Sequence, residues 1–251
     1  MRRWAVVAAA PLLMGQTPVL VPDVSQRSVE IVYSFTGAEL LLFGAIIYPG
    51  GRTPRDREQT DIVVVVKGPT QSIRVREKQR VAGIWVNAED LRYRSAPSFY
   101  AIASSRPIER IVDARTRAIY ELGLESLQLS PASSAAPEVQ GRFARGLVEL
   151  RRRLGLYYED PGAVEISEGV LYRARLGVPA RVPVGRFTAE TFLIRDGRVL
   201  AAAVKEIEIR KGGFERFVAT AATRASLAYG LVAVALSVGL GWFAGWVAGR
   251  R

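Results

Sequence analysis

The residues whose types and spacing best fit catalysis form a cluster of four carboxylates: Glu159, Asp160, Glu165 and Glu168. Two carboxylates held at a fixed separation can act as a general acid and a general base. Here they flank Pro161-Gly162, a pair typical of a connecting loop, so surface carboxylates are the simpler interpretation. A Ca²⁺ site would need more oxygen ligands at tighter spacing. We therefore expect neither a catalytic site nor a metal site in this cluster.

Most other chemistry is excluded by residue types that the chain lacks. Its 251 residues include no His and no Cys. This removes Ser-His-Asp and Cys-His nucleophile systems, His-ligated or thiolate metal sites, iron–sulfur clusters and the usual haem ligands. Neither of the glycine-rich phosphate-binding motifs, G-x-x-x-x-G-K-[ST] and G-x-G-x-x-G, is present. We expect no cofactor and no enzymatic activity; a hydrolase built on the acidic cluster is a distant alternative.

Arginine supplies the second candidate chemistry, which is anion binding. The formal net charge is +11 and comes almost wholly from arginine, because the chain has only 4 lysines. Alternation places Arg74 with Arg76, and Arg173 with Arg175, on one face of a predicted strand, where fork-shaped guanidinium groups could hold a small anion. Exposed sheet arginines explain the same pattern. The arginines form no stripe with interleaved aromatics, so we expect no nucleic-acid binding. A basic body near a membrane would be drawn to anionic lipid headgroups, but an arginine-rich surface with neither role is the favoured interpretation.

The C-terminal end of the chain determines where the protein resides. The run from Ala225 to Gly249 is uncharged and mostly apolar, and Arg250-Arg251 follows it. As a helix it covers about 37 Å, enough to cross a hydrocarbon core of about 30 Å. A helix of a soluble core would keep a polar face toward water. The pattern predicts a transmembrane helix over residues 225–249, with residues 250–251 as a short tip beyond it.

Within this span, Gly241, Gly245 and Gly249 recur at four-residue spacing on one helix face. A face without side chains lets another helix approach closely, which drives helix association in lipid. We therefore hypothesise that the span packs against its own copy or against another membrane protein.

Aromatic and basic residues mark the two ends of the span. Tyr229 lies near the end toward the body, and Trp242 and Trp246 lie near the other end, ahead of Arg250 and Arg251. Aromatic rings and basic side chains are enriched where a helix crosses the membrane–water interface. These five residues are the predicted interface anchors.

The N-terminus indicates which side of the membrane holds the body. Met1–Arg3 is basic and Trp4–Leu13 is uncharged, which is typical of a secretory signal and too short to span. We expect a signal peptide over residues 1–20, cleaved between residues 15 and 22, a periplasmic body, and a single span in the inner membrane with a cytoplasmic C-terminus. The basic residues between 210 and 224 favour an alternative, a tail-anchored cytoplasmic protein.

The elements that must position these residues fall into three segments. Residues 21–106 contain short β runs, and Asp61–Lys67 has the β-branched composition of a central strand buried on both faces. Residues 107–160 are predicted to be a helical insertion. It contains an amphipathic helix of about 18 residues, whose apolar stripe consists of Phe143, Leu147, Leu150 and Leu154.

Residues 161–212 are β again, and residues 213–224 are a predicted juxtamembrane helix. Asp196-Gly197 predicts a two-residue hairpin turn. Short runs at 72–76, 84–86 and 99–102 add strands. The fold class expected is mainly β with inserted helices (α+β): a β-sandwich, of which the immunoglobulin-like arrangement is one form, plus one C-terminal transmembrane helix. Two small β domains separated by helices are the alternative.

Several motifs resemble the family of alpha-proteobacterial transmembrane proteins. They are Phe35–Gly44, Val81–Asn87, Phe99–Pro107, Val182–Gly185, Lys211–Arg216 and the apolar tail that begins near Leu227–Gly230. The resemblance covers nearly the whole chain. It implies a topology, with an exported body and a C-terminal span, but the family is uncharacterised and indicates no particular activity. It also suggests a transport accessory, because members occur beside sulfite-exporter-type permeases.

Two functional hypotheses follow. In the first, the protein is a non-enzymatic, membrane-anchored periplasmic accessory or scaffold that assists a membrane transporter. Its partners would be the lipid bilayer and either a permease or a second copy, reached through the anchor. In the second, the periplasmic body is an anion-binding module that uses the strand arginines.

Overall fold

The structure is a computed structural model that describes residues 17–25, 28–31, 37–49, 60–132, 134–211 and 222–249. The strands are β1 Val19–Val24, β2 Ser28–Ile31, β3 Ala38–Ile47, β4 Thr60–Lys67, β5 Thr70–Val81, β6 Ile84–Pro97, β7 Tyr100–Ser104, β8 Ser130–Pro131, β9 Tyr157–Pro161, β10 Val164–Ser167, β11 Leu171–Val178, β12 Gly185–Arg195 and β13 Arg198–Lys211. The α-helices are α1 Ala114–Tyr120, α2 Pro137–Arg153 and α3 Ser226–Ala248. Short 3-10 turns cover Ile108–Arg110 and Leu124–Ser126.

Two sheets pack face to face around the main core. Sheet A is antiparallel with the order β1-β3-β11-β10, and sheet B has the order β2-β13-β12-β4-β7-β9. Leu42 and Tyr172 of sheet A and Val64 of sheet B belong to one buried cluster. The predicted class, mainly β with inserted helices, is confirmed. The β2–β13 and β7–β9 pairs are parallel, which distinguishes sheet B from the antiparallel sheets of immunoglobulin domains.

Strand β4 lies at the centre of this core. Its residues from Asp61 to Val66 are at most 3% exposed. The outer face of sheet B is covered by the helical segment, where the ring of Tyr120 packs edge-on against Phe192 with centroids 5.6 Å apart. A β-branched run suits such a position because stiff side chains pack well on a pleated surface. The prediction of a central strand buried on both faces is confirmed.

Two ion-pair groups fasten the helical segment to sheet B. Asp61 accepts hydrogen bonds from Arg106 Nε at 2.8 Å and Nη2 at 2.6 Å, and from Ser105 Oγ at 2.7 Å. Lys67 Nζ lies 2.8 Å from Glu121 Oε2 and 3.3 Å from Glu190 Oε2. Burial alone would lower the pKa of Lys67, but its hydrogen bond to Glu121 and the two carboxylate charges outweigh burial and raise that pKa.

A third sheet projects from this body. Sheet C has the order β5-β6-β8, and helix α2 packs on it through a second, smaller core of Leu91, Tyr93, Ala96, Phe143 and Leu147. Helix α2 is the predicted amphipathic helix, and it has 17 residues. The predicted stripe is wrong in its second half, where Leu150 and Leu154 are exposed. The hairpin covers only the first part of α2, and Val148 then packs against the main core instead.

The β5–β6 hairpin is longer than the sequence indicated. The predicted strands at 72–76 and 84–86 are pieces of strands with 12 and 14 residues. Every side chain from residue 78 to residue 90 is exposed. Because neither face of this distal part is buried, it lacks the polar–apolar alternation that reveals a half-buried strand.

The segment predicted as a helical insertion also contains strands. Strand β8 pairs with β6, and β9 pairs in parallel with β7. Tyr157 is fully buried, and its hydroxyl donates a hydrogen bond to the carbonyl oxygen of Pro97. Burial raises the pKa of Tyr157 to about 12. The insertion therefore contributes one strand to sheet B and one to sheet C, and it is not a separate helical unit.

Three other predictions concern the ends of the chain and a turn. The predicted hairpin turn is confirmed, because Asp196 and Gly197 have φ of 50° and 75°. Residues 1–16 of the predicted signal segment, 1–20, lie outside the described residues. The last two residues of that segment, Val19 and Leu20, belong to β1. Arg250, Arg251 and residues 213–221 of the predicted juxtamembrane helix also lie outside the described residues. Residues 222–224 are helical, and a bend at Ala225 separates them from α3.

Candidate functional site

Helix α3 is the structural counterpart of the predicted span. It has 23 residues, which corresponds to about 35 Å of helix. Within the described residues it is the one helix long and apolar enough to cross a membrane, over Tyr229–Trp246, and none of that window is buried against the body. Leu227, Leu231 and Leu240 are all largely exposed. Such a surface is stable in hydrocarbon and unfavourable in water.

The three predicted packing glycines lie at the C-terminal end of this helix. A Cβ atom added to Gly241 or to Gly245 would meet no atom within 4 Å. Gly249 follows the last helical residue, and its N–H donates to the carbonyl oxygen of Gly245 at 2.9 Å. The helix face is therefore open at Gly241 and Gly245, and a second helix could approach its backbone directly there.

The predicted interface aromatics lie on the same helix. Tyr229 and Trp242 are separated by about 20 Å along the helix axis, and Tyr229 and Trp246 by about 25 Å. The ring of Trp246 lies beside that of Phe243, with centroids 6.2 Å apart. The separation of about 25 Å comes close to the thickness of a bilayer core of about 30 Å, so Trp246 suits the far boundary better than Trp242 does.

The acidic cluster is distributed over two strands and a turn. The prediction that it lies in a connecting loop is wrong for three of its members, because Glu159 and Asp160 lie in β9 and Glu165 in β10. Glu159 Oε1 accepts a hydrogen bond from the N–H of Leu124 at the start of a 3-10 turn. Glu165 pairs with Arg173, and Glu168 lies in a turn with φ of 51°. Two of these carboxylates are thus occupied by structural contacts.

Among the residues that the structure describes, no group of three acidic side chains is arranged to hold a metal ion.

The strand arginines are not brought together either. Arg74 and Arg76 lie on β5 of sheet C, whereas Arg173 and Arg175 lie on β11 of sheet A. Arg74 Nε lies 3.3 Å from Asp90 Oδ2, Arg173 pairs with Glu165, and Arg175 Nε lies 3.7 Å from Glu39 Oε1. A guanidinium group that already faces a carboxylate is a poor receptor for a second anion. The pattern is that of paired arginines on sheet surfaces.

The sequence reasoning missed two polar groups, the Asp61–Arg106 pair and the Lys67–Glu121–Glu190 group. Asp61 and Arg106 are 45 residues apart in the sequence, and Lys67 and Glu121 are 54 residues apart. The one signal in the sequence was Asp61 itself, a charge at the start of a β-branched run, since a buried charge requires a partner. Both groups fasten elements together, and Lys67, Glu121 and Glu190 also line an open pocket of about 300 Å³ beside Tyr120 and Phe192.

Comparison with known proteins gives a family and no activity. No curated protein matches the chain in sequence. One family model, described as "Putative transmembrane protein" and named for the alpha-proteobacteria, matches residues 19–250. That range contains both sheets of the sandwich, the projecting hairpin and helix α3. The chain is a membrane protein with one candidate C-terminal span, and it belongs to this family of alpha-proteobacterial transmembrane proteins.

Proposed function

We propose that this protein is a non-enzymatic, membrane-anchored accessory or scaffold. Its body lies in the periplasm, α3 spans the inner membrane, and the glycine face of α3 contacts a helix of a membrane protein, a transporter such as a permease or a second copy. The C-terminus is then cytoplasmic. The body serves to present a binding surface and not to carry out a reaction, since the chain has no His and no Cys.

The observation that supports this proposal best is the uncovered helix α3. An anchor needs only to be apolar, whereas α3 also has a face on which Gly241 and Gly245 leave the backbone accessible. Close approach of two helices gains van der Waals contact along this face, which is the main source of helix association in lipid. The anion-binding alternative has no comparable support, because three of its four arginines face carboxylates.

The association is tested with a double variant and a matched control. Gly241→Ile/Gly245→Ile places two branched side chains on the proposed contact face, and we expect loss of the association signal in a membrane two-hybrid assay. Ala235→Ile/Gly239→Ile has the same four-residue spacing on a face about 120° away around the helix and should keep the signal. Equal signals from both variants would refute the glycine contact, whether the partner is a permease or a second copy.

The orientation is tested separately with fusions after Gly212. Alkaline phosphatase is active only when exported, so activity of that fusion supports a periplasmic body. A reporter that fluoresces only in the cytoplasm should stay dark at the same position. The reverse pattern would make the protein a tail-anchored cytoplasmic one, without affecting the helix contact. Co-purification of a specific permease with the full chain would then identify the partner.

A further inference from the structure

The tip of the β5–β6 hairpin has an apolar surface that the fold leaves uncovered. Val81, Ile84, Trp85 and Val86 are between 39% and 69% exposed. The register pairs Val81 with Ile84 and Arg80 with Trp85. One face of the tip is therefore aliphatic, with Val81, Ile84 and Val86, and the other carries Trp85 among polar and basic side chains.

The turn at this tip has an unusual residue. Ala82 and Gly83 have φ of 49° and 85°, the conformation of a two-residue turn in which both central residues have positive φ. Asn, Asp or Gly is preferred at the first of these positions, and alanine there is strained. Among the described residues, two other turns have positive φ at both positions, and both begin with a polar residue: Asp196-Gly197, at the opposite end of sheet B, and Glu168-Gly169. The hairpin tip thus has an apolar residue where a polar one would be more stable in water.

The charges around the tip are all positive. From residue 78 to residue 87 the hairpin carries Lys78 and Arg80 and no acidic residue. Arg80 Nε donates to the carbonyl oxygen of Gly83 at 3.3 Å, which holds its guanidinium group at the turn. The next acidic residues toward the body, Glu77 and Glu89, both face Arg142 of helix α2. Apolar groups, a tryptophan and cations together match the interface of an anionic bilayer.

The topology directs the hairpin and the anchor from the same end of sheet B. Strand β4 ends at Lys67, which is in register with Thr188, and Gly185 is in register with Ile209 of β13. A Cβ atom on Gly185 would lie 3.1 Å from Pro69, the residue before β5. The hairpin therefore leaves the sheet beside the point where β13 ends and the chain continues toward α3.

The lengths of the two connections are compatible with contact at one membrane. The 12 residues of β5 extend about 40 Å from the sheet. The chain between Lys211 and Ser226 can span at most about 50 Å. A hairpin held within this distance of a spanning helix has a high effective concentration at the bilayer surface.

We propose that the tip of the β5–β6 hairpin, residues 78–87, is a second membrane contact that inserts into the interface of the bilayer that α3 spans. Val81, Ile84, Trp85 and Val86 enter the boundary between headgroups and acyl chains, and Lys78 and Arg80 bind lipid phosphates. The body is then held at two points and cannot rotate freely about its anchor. This contact does not depend on which protein the anchor helix meets.

The chain has no cysteine, so one introduced cysteine gives a unique label site. We would label Ile84→Cys with an environment-sensitive fluorophore in the full-length protein, in nanodiscs of phosphatidylcholine with phosphatidylglycerol. We expect emission at shorter wavelength and quenching by lipids that carry a spin label near the headgroup. Arg198→Cys, exposed at the opposite end of sheet B, is the matched control and should show neither effect.

Two other results would overturn the proposal. Emission from Ile84→Cys that equals the control would show that the tip remains in water. A shift to shorter wavelength without quenching by lipid would show that the tip is buried against protein, for example a second copy.

Native Trp85 provides a measurement without a label, through quenching by brominated lipids in a Trp4→Phe/Trp242→Phe/Trp246→Phe variant. Lys78→Gln/Arg80→Gln should lower the quenching in anionic nanodiscs but not in neutral ones, and unchanged quenching would overturn the role of the two cations.

Discussion

Removal of Arg106 should destabilise the body strongly, because it would leave a buried charge. The Asp61 side chain is 4% exposed and forms a two-point contact with Arg106. In Arg106→Met the described contacts leave this carboxylate only the hydroxyl of Ser105. Loss of one partner of a buried ion pair costs about 3–5 kcal/mol. Because one hydrogen bond remains and the Arg106 side chain is 38% exposed, we expect a loss below that range, about 2–3 kcal/mol.

The measurement is urea unfolding of the full-length protein in detergent, followed by the near-ultraviolet circular dichroism of the body's buried tyrosines. For a body of this size, with a slope of about 2–3 kcal/mol per molar urea, the midpoint should fall by about 1 M. Arg153→Met is the matched control, since Arg153 Nε also lies 2.8 Å from a carboxylate, that of Glu149, but on an exposed face of α2. It should cost no more than about 0.5 kcal/mol.

A double variant separates the buried charge from the lost contact. Asp61→Leu/Arg106→Met removes both charges, so it should be more stable than Arg106→Met alone. Equal losses in Arg106→Met and Arg153→Met would refute the reasoning. So would a double variant that is less stable than the single one, since burial of an unpaired carboxylate would then not be the cause.

Two further predictions use the same urea assay. The pKa of Tyr157 in the folded protein, about 12, lies above its ordinary value near 10, so its contribution to the free energy of unfolding is complete below about pH 10 and is lost as the pH rises toward 12. Tyr157→Phe should therefore reduce the fall in the urea midpoint between neutral pH and about pH 11. An unchanged fall would contradict this assignment. Gly44→Ala places a Cβ atom 2.5 Å from the carbonyl oxygen of Val21 and should cost about 1–3 kcal/mol, whereas Gly177→Ala, which meets no atom within 4 Å, should leave the midpoint unchanged or raised; similar midpoints for the two would refute the steric argument.

Parts of the fold whose stability is local could be predicted from the sequence. The β-branched run of β4, the Asp196-Gly197 turn and the apolar length of α3 each carry their own signal in consecutive residues. Helix α2 was predicted from its period, although the exposure of Leu150 was not. That side chain depends on how far the hairpin extends along the helix, which no local pattern encodes.

Other parts depend on partners that are distant in the sequence. Strand β9 begins with Tyr157, and it is a strand because it pairs with β7, more than fifty residues earlier in the chain. The last three residues of this strand are two acidic residues and a proline, a composition that locally favours a loop. The same holds for the candidate site. The glycines and aromatics of α3 could be placed from helical spacing. The carboxylates that face Arg74, Arg173 and Arg175 could not be identified from the sequence, because they meet these arginines only when the strands pair.

The position of β13 has a mechanical consequence. Any tension between the membrane and the body enters the fold at Lys211, the C-terminal end of a 14-residue strand. This strand is hydrogen-bonded to β12 on one side, from Gly185–Ile209 to Arg195–Arg198, and to β2 on the other. A pull along β13 therefore loads the hydrogen bonds of both ladders in shear, so that many must break together. A pull at right angles to β13 would instead open each ladder one pair at a time. A tether that pulls along β13 therefore loads the sandwich in its strongest direction.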